Sequence, residues 1–197
     1  MQAGLRAQSS LPRQSGMRRS GMFQQGDKVV HPTHGAGVIR EIRRSDGING
    51  FSEFYIVELF ANRLTMMIPV ENASTLGLRQ ADSLLVSQAM EALAEPPHHL
   101  PSEFKARQRE LTDKLRSGNT RLIAEVCRDL TWRSKFGQLT STDARLLEQA
   151  RDFVATEIAA VRDCEPDVAF EHLSVVLAQE LTKWAAPEAR QAGGAGQ

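Results

Sequence analysis

The chain has 197 residues, with 24 basic and 24 acidic side chains, so its total charge favours no class of partner. That length fits one or two domains. No apolar run is long enough to cross a membrane as a helix, and Cys127 and Cys164 lie far apart in helical patterns. They read as two reduced thiols of a cytoplasmic protein rather than as a disulfide framework.

Charge is unevenly spread. Residues 1–21 carry Arg6, Arg13, Arg18 and Arg19 and no acid. The stretch is poor in apolar periodicity. It reads as a disordered extension, or as sequence ahead of a later start at Met17 or Met22. Residues 105–135 hold a local basic excess, and the residues from Arg162 onward a local acidic one. A basic middle allows a polyanion on one surface.

Residues 22–80 read as a small, self-contained β-module. Gly26-Asp27 is a turn, Lys28-Val29-Val30 begins an extended run, and Pro32 closes it. His34-Gly35-Ala36-Gly37 turns again into a strand over Val38–Ile42 that ends at Arg43-Arg44. Asn49-Gly50 is a hairpin signal. The run from Phe54 to Leu59 follows, with Tyr55, Val57 and Leu59 on one face, and the run from Leu64 to Val70 is broken by Pro69. Four or five short strands at this spacing predict a small barrel. About sixty residues is near the lower limit for an independent core, so support from the rest of the chain is expected.

From Ala81 the apolar period changes from two to 3.6. Leu84, Leu85, Met90 and Leu93 mark a first helix, ended by Pro96-Pro97. Pro101-Ser102 begins a second, stopped at Gly118, and Asn119 caps a third that ends at Gly137. Thr140-Ser141-Thr142-Asp143 is a capping pattern ahead of a long stripe through Leu146, Leu147, Ala150, Phe153, Val154, Ile158 and Val161. Pro166 opens a fifth helix with Phe170, Leu173, Leu177, Leu181 and Trp184 as its apolar positions. The expected organisation is a disordered extension over 1–21, a β-domain over 22–80, a bundle of about five helices over 81–186 and a disordered tail over 187–197. The fold class is α+β.

The residue pattern carries no catalytic chemistry. His31, His34, His98, His99 and His172 form no metal-ligand spacing with either cysteine. Gly35-Ala36-Gly37 lacks the continuation of a phosphate-binding loop. Asp163 and Glu165 sit at a helix start, where they serve the dipole. A non-enzyme with no cofactor and no metal is expected.

The motifs GDKVVHPTHGAGVI and IPVEN followed by GLR resemble the polymerase-interacting domain of the CarD/CdnL family of bacterial transcription regulators. In the helical half, KLRSGN, IAEVCRDL and the run from Leu139 to Phe153 are similar to the C-terminal domain of the short, CdnL-type members. The resemblance runs from Met22 to about Leu181. No helicase motif and no Arg-Gly-Arg-Pro hook accompanies it.

The resemblance implies a Tudor-like barrel that docks on the β subunit of RNA polymerase. It also implies a helical domain that meets promoter DNA, through minor groove and phosphates, at the upstream edge of the transcription bubble. The family's wedge, a tryptophan early in the second helix, falls here on Phe104. Its phosphate-contacting positions fall on Arg109 and on Ala144, with Arg145 beside it. The basic docking positions of the barrel fall on Arg43 or Arg44 and on Met67. Lys105 and Arg107 complete the expected DNA set. A bacterial cytoplasmic, nucleoid-associated monomer follows from the same resemblance. The alternative is a polymerase-binding adaptor without productive DNA insertion.

Spacing alone leaves three points open. Phe104 falls within about forty degrees of Leu111 and Leu115 on a helical wheel, which equally suits a core residue. Lys105, Arg107, Arg109, Lys114 and Arg116 equally suit a solvated helix face. Trp132 is either exposed or laid over a neighbouring helix.

Overall fold

In a computed structural model of the chain, residues 23–192 are described, apart from residue 49. The expected extension over 1–21 lies outside the described residues. Five strands come first: β1 (Lys28–His31), β2 (Gly35–Ile48), β3 (Phe51–Leu59), β4 (Thr65–Pro69) and β5 (Arg79–Gln80). Five helices follow: α1 (Ser83–Ala94), α2 (Phe104–Arg116), α3 (Thr120–Ser134), α4 (Ser141–Arg162) and α5 (Pro166–Ala192).

The strands form one antiparallel sheet in the order β4-β3-β2-β1-β5. Pro32 ends β1, because a proline has no N–H to donate to the ladder. β2 runs six residues beyond Ile42, and its register shifts between Ile39 and Glu41, leaving Arg40 as the extra residue of a bulge. Four or five strands were expected; the two-residue β5 had no run assigned to it, because a strand that short leaves no period to read. Val29, Ile39, Tyr55, Val57, Leu59, Ile68, Ala73 and Leu78 make the module's own core. The hydroxyl of Tyr55, at its centre, accepts a hydrogen bond from the backbone N–H of Phe23 at 3.0 Å.

The helices start where the caps are. Asp82 accepts from the N–H of Leu84, Asn119 from that of Leu122, and Thr140 from that of Asp143. The second helix begins three residues later than expected, at Phe104, because the Glu103 carboxylate caps the N–H groups of Lys105 and Ala106. Asp163 ends α4 in the left-handed conformation, at φ 52°. The backbone of α5 continues through Pro187 to Ala192, six residues into the expected tail. Its inward stripe is Ala169, Leu173, Leu177 and Glu180, which leaves Phe170 at the surface; Leu84 at the start of α1 is exposed as well, and both were expected as core positions.

The module is not free-standing. Val30 and Ala36 belong to the core of the helical half, together with Leu111, Ile123, Leu130, Phe153 and Ile158. Two glycines let the halves approach. A Cβ on Gly35 would come 2.9 Å from Oγ1 of Thr156, and one on Gly118 would come 2.6 Å from Cβ of Pro32. Both have positive φ, so any side chain there meets strain as well as a clash. Polar groups are satisfied across the same seam. Nη1 and Nη2 of Arg79 donate to the fully buried carboxylate of Glu157 at 2.6 and 2.9 Å. Oγ1 of Thr120 donates to it at 2.8 Å, and the N–H of Ala36 donates to Oγ1 of Thr156 at 3.2 Å.

Candidate nucleic-acid and protein interfaces

The sheet presents one candidate surface. Ladder partners share a face, and Arg43 pairs with Phe54, which pairs with Pro69. In the next row on that face, Glu41 pairs with Ile56, which pairs with Met67. Arg43 and Met67 therefore lie in adjacent rows of one face, with Met67 44% exposed on the edge strand. Arg44 pairs with Glu53 and points to the opposite face. Of the two arginines, the geometry joins Arg43 to Met67. The cations here are not free: Arg43 donates to Glu41 at 2.6 Å and Arg40 to Glu58 at 2.6 Å. The Arg40 hydrogen bond holds the Glu58 carboxyl below its usual range.

The first turn of α2 presents another. Phe104 is 42% exposed, so the structure places it at the surface and not in the core. Lys105 and Arg109 are exposed beside it, and Arg109 lies 3.9 Å from Asp113 in its own helix. Glu103, though acidic and adjacent, is occupied by the N–H groups of Ala106 and Lys105, which lower its carboxyl from the usual value.

Arg107 is a correction. Only 3% of it is exposed. Its Nη2 lies 3.2 Å from the buried carboxylate of Asp143, and Nη1 donates to the carbonyls of Pro101 and Ser102 at 2.9 and 3.0 Å. With these partners and its burial, the guanidinium is turned inward and not toward a surface ligand. It anchors the start of α2 to the start of α4, and its guanidinium carbon lies 5.8 Å from the Phe104 ring centre. Arg107 is thus a buried anchor next to Phe104, not part of the exposed surface.

Arg145 is exposed on α4 and lines a groove of about 230 Å³ with Thr112, Arg116 and Gln149. Arg116 was read from sequence as part of the basic face of α2 but not placed in the DNA set. The signal was present: Lys105, Arg109 and Arg116 fall within about forty degrees of one another on the helical wheel. Trp132 is half-buried. It meets Trp184 of α5 edge-on at 6.2 Å, so it covers a neighbouring helix. Cys127 is fully buried and its thiol is pushed up to about 12 by that burial, which makes it a poor nucleophile. Among the described residues no cluster of three or more His, Cys, Asp or Glu side chains could hold a metal ion. None of their helices is long and apolar enough to cross a membrane.

A small β-module seated on a five-helix domain, with one candidate surface on each part, makes a two-part protein. Comparison with known proteins gives its family. Residues 23–81 match the family model described as the CarD-like/TRCF RID domain, and residues 88–174 match that of the CarD C-terminal domain. The chain is also 28% identical over 144 residues to YdeB of Bacillus subtilis (strain 168), whose name describes it as a candidate transcription factor. That match covers 72% of this chain and 93% of the relative. The chain belongs to the CarD/CdnL-like family of transcription regulators.

Proposed function

We propose that the protein binds the β subunit of RNA polymerase through the Arg43–Met67 face of its β-module. It then holds promoter DNA at the upstream edge of the bubble and lengthens the life of the open complex. Phe104 is the wedge, and Lys105, Arg109 and Arg145 meet phosphates. The match of residues 23–81 to the RID domain supports the polymerase contact.

One observation carries the DNA half: an exposed phenylalanine at the tip of α2, backed by the buried Arg107–Asp143 pair and flanked by exposed cations. A side chain held this way can enter a partly unstacked base step. Phenylalanine offers less stacking area than tryptophan and no indole N–H.

Open-complex decay on a promoter, with and without the protein, tests the proposal. Phe104→Ala should shorten the lifetime and Phe104→Trp should lengthen it, with aromatic–base stacking worth ~1–3 kcal/mol. Both variants should melt close to the parent, because the ring is half in solvent. A lifetime unaffected by the protein, with polymerase binding intact, would leave the adaptor reading in its place.

A further inference from the structure

Beside Phe104, the same end of the helical domain holds a second aromatic feature. A cavity of about 390 Å³ opens between the α1–α2 connection and the end of α3. His98, His99, Leu100, Trp132, Arg133 and Phe136 wall it. Phe136 is 64% exposed, yet its ring is held edge-on against Trp132 at 4.9 Å, and Trp132 in turn rests on Trp184. A large apolar ring is thus fixed from beneath and left open above.

The charges around it are positive. Nζ of Lys135 lies 5.2 Å from the centre of the Trp132 ring. The part-exposed Arg133 has its Nε 3.8 Å from Asp143, the carboxylate that also binds Arg107 under Phe104. That chain of contacts places the cavity next to the proposed wedge. The one acid lining the cavity, Asp129, is buried and paired with Arg128 at 2.8 Å. Oδ1 of Asp129 accepts from the N–H of His98 at 2.9 Å, and its Oδ2 has no hydrogen-bond donor.

We propose that this cavity binds an unstacked base of single-stranded DNA. The base lies on Phe136, and Arg133 and Lys135 meet the adjoining phosphates. Aromatic platforms with flanking cations hold single strands without reading their sequence, because every base has a π-face. At about 390 Å³ the cavity has room for one nucleobase. The inference rests on the promoter reading only in its choice of DNA, since the strands separate at the bubble edge where Phe104 is placed.

The test uses the full chain and a short fluorescein-labelled oligodeoxycytidylate at low salt. Anisotropy reports binding, and intrinsic emission reports the site, because Trp132 and Trp184 are the protein's two tryptophans. Binding should quench that emission. Phe136→Ala should weaken it about tenfold or more while leaving the melting temperature unchanged. Parent-like affinity in Phe136→Ala, or binding without any change in tryptophan emission, would overturn the inference.

The two readings fail separately. If Phe104→Ala shortens the open complex while Phe136→Ala binds the oligonucleotide normally, the cavity falls and the promoter function stands. If Phe136→Ala loses the oligonucleotide while the protein leaves open-complex lifetime untouched, the reverse holds.

Discussion

The seam between the halves can be tested by removing Arg79. Glu157 is completely buried there and receives two donors from Arg79 and one from Thr120. In Arg79→Met the carboxylate keeps one neutral donor in an apolar setting. Breaking a buried pair from one side costs ~3–5 kcal/mol. The Arg79 side chain is 28% exposed, so water reaches it and the lower end applies, about 3 kcal/mol. At roughly 2–4 °C per kcal/mol for a chain of this size, the melting temperature should fall by about 6–12 °C. Urea titration should give the same loss. Adding Glu157→Met should recover most of it, since an apolar pair of similar volume removes the stranded charge. A single variant that costs under ~1 kcal/mol, as an exposed pair would, refutes the reasoning. So does a double variant no more stable than the single.

Two further outcomes follow from the same contacts. Arg109→Ala should leave stability within ~0.5 kcal/mol and flatten the salt dependence of DNA binding by about one counterion, whereas Arg107→Ala should cost ~3 kcal/mol of stability through the stranded Asp143; equal melting of the two variants contradicts their assigned places. Burial and the neighbouring His34 hold the His31 imidazole below its ordinary value, so the unfolded chain takes up its proton first. That contribution to stability is complete above about pH 6.5 and declines as pH falls from there toward the lower folded value. His34→Gln removes one of the two causes and should reduce the slope of melting temperature against pH just below 6.5; an unaltered slope assigns it to other groups.

Local signals reached the elements well and their partners poorly. Pro32, Pro96-Pro97, Asn119 and Thr140 punctuate the chain because capping and proline chemistry act within a few residues. The stripe from Leu146 to Ile158 reads as a buried helix face because every third or fourth position is apolar, and all of it lies in the core, with Val161 packed against it. The pairing of Arg79 with Glu157 spans 78 residues and leaves no periodic trace. Arg107 was the avoidable error. At 100° per residue it lies about forty degrees from Leu111 and about 160° from Arg109, so the wheel already set it on the inner side. Phe104 could not be assigned in that way. Its angle matches the core stripe, and only the late start of α2, fixed by the Glu103 cap, leaves it at the tip with no turn of helix before it. Phe170 failed for a related reason: the small Ala169 and the paired Glu180 take the inner face of α5, which a count of large apolar residues overlooks.

The seam also explains how a reduced wedge can suffice under the proposed function. Lys105, Arg109 and Arg145 are few and exposed, so DNA affinity from them alone is modest and falls steeply with salt. Phenylalanine at position 104 lowers it further. A protein that reaches DNA already docked on polymerase faces a different requirement. Its second contact is intramolecular, at an effective concentration that reaches the millimolar range when the geometry is fixed. Flexible halves would dilute that advantage and let Phe104 point elsewhere. Gly35 and Gly118 allow close approach, the Arg79–Glu157–Thr120 contacts fix the angle, and Arg107 fixes the tip of α2 on α4. Among the described residues, the buried polar side chains Arg107, Thr120, Asp143, Thr156 and Glu157 therefore lie where orientation is decided. Buried ion pairs are weak sources of stability but strict about geometry. A docking protein whose second contact is weak gains more from a fixed orientation between its two surfaces than from additional binding energy at either one.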